Sequence, residues 1–190
     1  MRAAAGRSKL QRGGIMEIRP LSWPADLPQL ERLDTSFSTD IVYDVQSLPH
    51  GFAIVERRVT PSLLKQYPIA WEDLRACTSA IVAEREGVVL GVAALQHVAW
   101  NRRAAVAHLY VDRPARGQGI GARLVRDLHI RAKALHARCL WVETQNMNAP
   151  AIHFYERCGF VFSGLDLSLY DPQDTAGDIA LYFVLPNDDA

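Results

Sequence analysis

Eight segments of the chain have the alternating apolar pattern, or the β-branched and aromatic composition, that is typical of β-strands. Two of them, residues 79–84 and 88–98, are separated by Glu86-Gly87, a dipeptide suited to a tight turn, and are predicted to form a hairpin. The other predicted strands cover residues 16–21, 51–59, 104–111, 139–143, 160–170 and 179–185.

Helical spacing of apolar residues predicts a long amphipathic helix over residues 120–136, with one face formed by Ile120, Leu124, Leu128, Ala132 and Leu135. A second helix is predicted over residues 148–157, because Asn148 can cap it and Pro150 is tolerated in its first turn. Residues 27–34 are also predicted to be helical.

Three segments are less regular. Residues 35–49 are predicted to be an irregular polar and aromatic connection, Pro61 is predicted to begin a short helix or turn, and residues 71–77 are ambiguous. The order of elements predicts one α/β domain over residues 15–190, with a mixed, mostly antiparallel twisted sheet and helices on both faces. Residues 1–14 are basic and lack the apolar core of a secretory signal, so a disordered leader is expected there.

The chain carries 21 Lys and Arg against 21 Asp and Glu, for a net charge of zero. This balance argues against general nucleic-acid binding, and no apolar run reaches the ~18 residues that span a membrane. Three cysteines form no paired framework, which is typical of the reducing cytoplasm. Residues 102–138 are strongly basic and residues 139–190 strongly acidic, a distribution suited to a polyanionic ligand in the first segment and a cationic ligand in the second.

Residues 116–121 read Arg-Gly-Gln-Gly-Ile-Gly and lie between a predicted strand and the long helix. Backbone amides at such a helix N-terminus can bind a pyrophosphate. A dinucleotide fingerprint also fits formally, as Gly117-x-Gly119-x-x-Ala122 with Glu143 downstream. That alternative is disfavoured because five residues separate the strand from the first glycine, and because fewer than 50 residues follow Glu143 to complete a Rossmann fold.

The same loop, written Arg116-x-x-Gly119-x-Gly121 after Val-Asp-Arg-Pro at 111–114, resembles the acetyl-CoA loop of the GNAT superfamily of N-acetyltransferases. Residues 148–160, an asparagine-led helix ending in Phe-Tyr-x-x-x-Gly-Phe, resemble a second motif of that family. The resemblance implies acetyl-CoA as co-substrate and no metal. The residues it implies for acetyl-CoA binding are Leu109, Tyr110, Val111, Arg116, Gly117, Gln118, Gly119, Ile120, Gly121, Ala122, Asn148 and Tyr155.

Acetyl transfer to an amine needs two proton movements. An aliphatic ammonium has a pKa near ~10.4 and must lose a proton before it attacks the thioester, and the departing thiolate needs a proton donor. The resemblance implies that Tyr155 is that donor. Glu143, at a strand end, and His108, inside the strand before the loop, are both candidate bases, and a water chain is the third alternative. We expect direct attack in a ternary complex.

A finer resemblance is to the streptothricin acetyltransferases. It extends over residues 35–45, 142–146, 154–160, 164–166 and 179–182, and it implies a small cationic primary amine as acceptor and a role in antibiotic resistance. Carboxylates and aromatic rings suit such an acceptor, and the predicted acceptor-binding residues are Asp40, Tyr43, Asp44, Trp71 and Glu143. Ala107 and His108 depart from the group, whose members carry acidic residues there.

Two other functions remain open on the sequence. A protein or peptide N-acetyltransferase would share every acetyl-CoA residue but would present an open groove. A non-catalytic acyl-CoA sensor would bind acetyl-CoA and transfer nothing. Many relatives dimerise, so a second copy of the chain is an expected partner.

Overall fold

The computed structural model describes residues 14–187 except 174 and 176. Residues 1–13 of the predicted leader lie outside the described residues. The described strands are β1 Met16–Pro20, β2 Phe37–Leu48, β3 Gly51–Lys65, β4 Ser79–Arg85, β5 Val88–Val98, β6 Arg103–Val111, β7 Cys139–Gln145, β8 Val161–Asp166 and β9 Ala180–Pro186. The described helices are α1 Leu27–Leu30, α2 Trp71–Ala76, α3 Ile120–Ala134 and α4 Ala149–Arg157.

Seven of these strands form one sheet in the order β1-β4-β5-β6-β7-β9-β8, and β2 and β3 form a separate ribbon. The β6–β7 ladder is parallel, whereas the other ladders between described strands are antiparallel. The predicted mixed, mostly antiparallel sheet is therefore confirmed. The predicted hairpin is present as β4 and β5, with Glu86 and Gly87 both at positive φ, 53° and 78°. This conformation matches the twist of the two strands.

Helices cover both faces of the sheet, as predicted. On one face α3 and α4 pack over a large apolar cluster, which includes Leu124, Leu128 and Ile152 from the helices. On the other face α1 and α2 contribute Leu30 and Leu74 to a smaller cluster. The prediction that α1 extends to Asp34 is wrong, because the helix ends at Leu30; Leu33 nevertheless remains buried in the smaller cluster.

The ribbon contradicts two predictions. Residues 35–49 are not irregular, since β2 covers most of them, and Pro61 does not begin a helix, since β3 continues through it. Most of β3 is exposed, so its sequence lacks the alternation that one buried face would impose. Thr39 pairs with Leu63 and Ile41 with Arg58, which leaves Pro61 in a bulge where its missing N–H costs no ladder bond.

The centre of the sheet is split. The parallel β6–β7 ladder consists of three pairs, Arg103–Cys139 to Ala105–Trp141, and the two strands then diverge. Beyond that point β6 still pairs with β5 as far as Val111, and β7 still pairs with β9 as far as Gln145. The β7-facing edge of β6 is therefore left without a strand partner beyond Ala105. A wedge-shaped gap opens there between β6, which is held by β5, and β7, which is held by β9.

An extra residue in β6 changes which side chains face each layer. Leu95 of β5 pairs with Val106 and Ala94 pairs with His108, so Ala107 bulges out. Val106 belongs to the α3 cluster, whereas Tyr110 packs against the α1–α2 cluster. Because side chains alternate along a strand, His108 shares the face of Tyr110. The bulge thus turns His108 and Tyr110 toward α2 at the point where the sheet splits.

Candidate active site

The glycine loop presents unpaired amides at the start of α3. Gly117 and Gly119 have φ angles of 76° and 77°, and a Cβ at either would meet nothing within 4 Å. Glycine is therefore required at both positions by the backbone conformation and not by space. The amides of residues 117–122 donate no hydrogen bond to any part of the chain that the structure describes. Such a row of free N–H groups at a helix N-terminus suits a pyrophosphate.

The neighbouring residues of the loop support it from behind. A Cβ on Gly121 would lie 2.9 Å from the ring of Phe154, so this glycine allows α3 and α4 to pack closely. The side chain of Ile120 is buried in the α3 cluster, and the exposed side chain of Ala122 is only a methyl group, so both can offer only their amides to a phosphate. The side-chain oxygen of Gln118 accepts a 3.1 Å hydrogen bond from Arg85.

The guanidinium of Arg116 is already engaged by backbone carbonyls. It donates to the carbonyl of Val111 at 3.0 Å, of Ser36 at 2.6 Å and of Asp34 at 3.2 Å. These bonds tie the end of β6 and the start of β2 to the loop. Arg116 therefore positions the loop in this structure, and burial lowers the pKa of its guanidinium.

The wedge begins immediately before this loop. Leu109, Tyr110 and Val111 form the end of β6, and their main chain lines the edge that β7 has left. Because the wedge leads directly into the glycine loop, a long thin ligand with a diphosphate can lie along both.

On α4, Asn148 is the N-cap, and its side-chain oxygen accepts a 3.2 Å hydrogen bond from the amide of Ala151. Tyr155 is 7% exposed, with its ring between those of Phe154 and Phe160 at centroid distances of 5.3 and 5.4 Å. Its hydroxyl makes no hydrogen bond within the described part of the chain. Burial, followed by the nearby charge of Glu143, raises the pKa of Tyr155, so the phenol stays protonated.

Glu143 lies on β7 where the wedge is open. Burial raises the pKa of its carboxyl, and the hydroxyl of Tyr170, which donates a hydrogen bond to Oε1, opposes that rise. Two residues further along the same face of β7, Gln145 accepts a hydrogen bond from the hydroxyl of Tyr67. A carboxylate with a raised pKa in a cleft is a candidate acid or base.

His108 is the second candidate base. Its side chain is 7% exposed, and its Nδ1 has no hydrogen-bond partner among the described residues. Burial lowers the pKa of the imidazole, against the smaller opposing effect of Asp73 on α2. His108 is therefore a neutral ring with an available nitrogen on the α2 side of the wedge.

In the structure, each of the other predicted acceptor residues contacts a different part of the protein. Asp40 pairs with Arg58 at 2.9 Å and Asp44 with Arg57 at 2.5 Å, both on the exposed part of the ribbon. The hydroxyl of Tyr43 hydrogen-bonds to the ring of His153 on α4 at 2.8 Å, and Trp71 packs against the α1–α2 cluster. The carboxylates of Asp40 and Asp44 are thus each paired with an arginine of the neighbouring strand.

Sequence reasoning missed a group of residues that lines a cavity of about 410 Å³ at the open end of β7. The lining residues are Lys65, Gln66, Tyr67, Gln145, Met147, Thr175 and Asp178. A cavity of about 610 Å³ adjoins it at Lys65 and Gln66 and extends to Asp34 and Ser36 beside Arg116. No local motif marks these residues, since Lys65 and Asp178 are 113 positions apart in the chain.

Comparison with known proteins agrees with this geometry. Residues 43–160 match the model of the acetyltransferase (GNAT) family. A streptothricin acetyltransferase of Streptomyces lavendulae is 38% identical over 92% of this chain and 96% of its own length. A streptothricin acetyltransferase of Escherichia coli is 27% identical over 84% of this chain and 91% of its own length.

Solved structures show the same fold. The nourseothricin acetyltransferase structure aligns with a TM-score of 0.81 and 37% identity, over 90% of this chain and 98% of its own. A relative from Bacillus anthracis, solved in complex with acetyl coenzyme A, aligns with a TM-score of 0.78 and 27% identity, over 91% and 100% of the two chains. In the part of the chain that the structure describes, no helix is long and apolar enough to cross a membrane.

Proposed function

Because the chain belongs to the acetyltransferase (GNAT) family, we propose that it transfers an acetyl group to a primary amine of a small, streptothricin-like cationic acceptor. The chain is an acetyl-CoA-dependent N-acetyltransferase. Beyond this activity, we propose the class of the acceptor, the groups that transfer protons, and direct attack of the amine in a ternary complex. The observation that carries it is the split sheet: β6 and β7 diverge after three pairs, so the free edge of β6 leads to the glycine loop, and Glu143 lies on β7 beyond the last of these pairs.

The features of the loop and the wedge suit acetyl-CoA. The free amides of residues 117–122 would hold the pyrophosphate, and the unpaired edge of β6 at Leu109–Val111 would bind the pantetheine arm. When bound there, acetyl-CoA supplies a thioester at the open part of the wedge. Asn148 and Arg116 would contribute indirectly, because their side chains hydrogen-bond to the main chain and hold it in position around the ligand.

Glu143 is the proposed general base. A buried carboxylate with a raised pKa binds a proton more readily than a free one, and its hydrogen bond from Tyr170 favours the ionised form that a base needs. It would take the proton from the acceptor ammonium and leave a neutral amine to attack. His108, on the neighbouring strand with a free nitrogen, is the alternative base.

Tyr155 is the proposed general acid. Its phenol remains protonated because burial and the charge of Glu143 both disfavour the phenolate. It can therefore give a proton to the sulfur as the thiolate leaves. Both groups serve one direct attack within a ternary complex, and no described nucleophile is needed to carry the acetyl group.

The acceptor class rests on two lines of support. The relatives with 38% and 27% identity over most of the chain are both streptothricin acetyltransferases. The cavity beside Glu143 is lined by the carboxylate of Asp178, which is paired with the ammonium of Lys65, and by the ring of Tyr67. A carboxylate and an aromatic ring are groups that favour an ammonium. Streptothricin carries β-lysine amines and fits that chemistry.

Thiol release from acetyl-CoA, measured spectrophotometrically, tests the proposal. We expect turnover with streptothricin, and acetylated product by mass spectrometry, at rates well above those with lysine-containing peptides. Preferred turnover of peptides would identify a peptide acetyltransferase instead. Binding of acetyl-CoA without transfer to any amine in a broad panel would identify a sensor.

A further inference from the structure

Asp178 is a carboxylate held almost entirely inside the protein. Its side chain is 2% exposed and lies just before β9, at the wall of the 410 Å³ cavity. Both of its carboxylate oxygens accept hydrogen bonds of 2.9 Å from the ammonium of Lys65. A buried carboxylate is unfavourable without a cation beside it, so this site always needs one positive charge.

Lys65 can supply that charge without being fixed there. It is the last residue of β3, its side chain is 29% exposed, and its remaining polar contact is a 3.6 Å approach to the sulfur of Met147. A lysine side chain has four flexible methylene groups, so its ammonium can move into solvent at the cavity mouth when another cation takes its place.

The cavity lies beside the reacting groups. Gln145, which lines it, is two residues from Glu143 on the same face of β7. Tyr67 also lines it and donates a hydrogen bond to Gln145. Its volume of about 410 Å³ accommodates a short aliphatic ammonium chain, and the Tyr67 ring offers an aromatic surface for such a chain.

We infer that Asp178 binds a second ammonium group of the acceptor, and that the Lys65 ammonium occupies this position until the acceptor displaces it. The inference rests on the proposed function, because it assumes an acceptor with two amines that contact two different carboxylates. Glu143 meets the amine that is acetylated, and Asp178 meets an amine that is not. The enzyme would thereby select diamines over monoamines of the same shape.

The test compares β-lysinamide with the same amide lacking its terminal ammonium. Asp178→Asn should raise the KM for β-lysinamide about tenfold or more and change the KM for the monoamine less than about twofold. Lys65→Met, which keeps most of the side-chain length but removes the competing charge, should lower the KM for β-lysinamide. Asp127→Asn, which removes a surface ion pair with Arg131 on α3, is the control and should change neither value.

Thermal unfolding gives a readout that does not depend on turnover. β-Lysinamide should raise the melting temperature of Lys65→Met more than that of the unmodified protein, because it replaces the missing cation, and the monoamine should not.

Equal effects of Asp178→Asn on both amides, or equal stabilisation of both proteins by the diamine, would overturn the inference. If a single variant does not fold, the uncharged double variant Lys65→Met/Asp178→Asn decides: it should bind the two amides equally, and a retained preference for the diamine refutes the subsite. Failure of acetyl transfer with intact diamine stabilisation would refute the proposed function alone.

Discussion

Tyr155 can assist a departing thiolate only while its hydroxyl is protonated, and its surroundings keep it so. Removal of the hydroxyl in Tyr155→Phe leaves the ring between Phe154 and Phe160, so the fold and the binding of acetyl-CoA should be unchanged. We expect kcat to fall about 10²-fold, the lower range for loss of a positioned proton donor. Steady-state kinetics and calorimetric titration with acetyl-CoA check this, and unchanged kcat would remove the acid role.

The pH profile separates the two candidate bases. A base must be deprotonated to act, so kcat/KM should fall as the pH drops through the raised pKa of Glu143. Glu143→Gln should lower kcat/KM and abolish that limb of the profile. A limb that persists in Glu143→Gln but disappears in His108→Gln would instead assign the base to His108.

Tyr170 offers a sharper measurement on the same carboxyl. Its hydroxyl donates to Glu143 and favours the ionised form, which lowers the pKa of the carboxyl. In Tyr170→Phe that bond is lost, so the pKa of Glu143 rises further and the acidic limb of kcat/KM should move to higher pH. Tyr182→Phe is a matched control, because Tyr182 pairs with Glu143 across β7 and β9; this variant should shift the limb less. A shift to lower pH in Tyr170→Phe would contradict this account.

At the residue scale, the sequence proposed candidate catalytic groups but did not indicate the ion-pair partners of the predicted acceptor-binding carboxylates. Glu143 and Tyr155 could be named from motifs, because each lies in a short recognisable segment. Asp40 and Asp44 were predicted near the acceptor because carboxylates suit cations, but each has an arginine across the ribbon. Pairing across strands is set by register, which a single sequence with little alternation does not specify.

At the scale of elements, the glycine loop depends on a backbone conformation that other residues adopt at a cost. Gly119, the N-cap of α3, has a φ of 77°, and an added methyl group there would meet open space. Gly119→Ala should therefore cost about 1–2 kcal/mol of unfolding free energy through backbone strain alone. It should also raise the KM for acetyl-CoA, because the strain is relieved by moving the amides that bind the pyrophosphate.

Gly121→Ala provides the contrast, since its added Cβ would lie 2.9 Å from the ring of Phe154. That variant should lose stability by displacing α4 from α3. Urea unfolding and the KM for acetyl-CoA, measured on both variants, separate strain in the loop from packing between the helices. An unchanged KM in Gly119→Ala would argue against a role of these amides in binding.

Elements that bury apolar side chains were predictable from the sequence, whereas the mostly exposed ribbon was predictable only in part. The helices α3 and α4 each bury one apolar face, so their periodicity is visible in the sequence. The hairpin β4–β5 is buried on both faces, and its apolar runs and the Glu86-Gly87 turn predicted it instead. The ribbon β2–β3 is mostly exposed, and its Pro61 lies in a bulge, so the sequence predicted a strand over residues 51–59 but indicated neither β2 nor the part of β3 that follows. The split between β6 and β7 has no local signature either, because it results from how far two distant strands remain paired.

At the scale of the whole molecule, the candidate site depends on one buried asparagine that joins three distant segments. Asn146, 5% exposed, follows β7, and its side chain donates to the carbonyl of Tyr43 on β2 at 2.9 Å. Its side-chain oxygen accepts from the amide of Ile179 at 2.8 Å, immediately after Asp178. This residue therefore sets the position of the cavity wall relative to Glu143.

Asn146→Ala should accordingly affect both stability and the acceptor. Loss of two buried hydrogen bonds, which leaves a carbonyl and an amide unpaired, should cost about 2–3 kcal/mol of unfolding free energy. The KM for the acceptor should rise as well, because the segment carrying Asp178 then keeps only the main-chain hydrogen bond between residue 146 and Ile179. Asn187→Ala is the matched control: Asn187 is also buried, but it binds the carbonyl of Ala137 at the opposite end of β7 and β9. Asn187→Ala should lower stability in urea unfolding without changing the KM for the acceptor. Equal KM changes in the two variants would show that the site responds to global stability and not to the hydrogen bonds of Asn146.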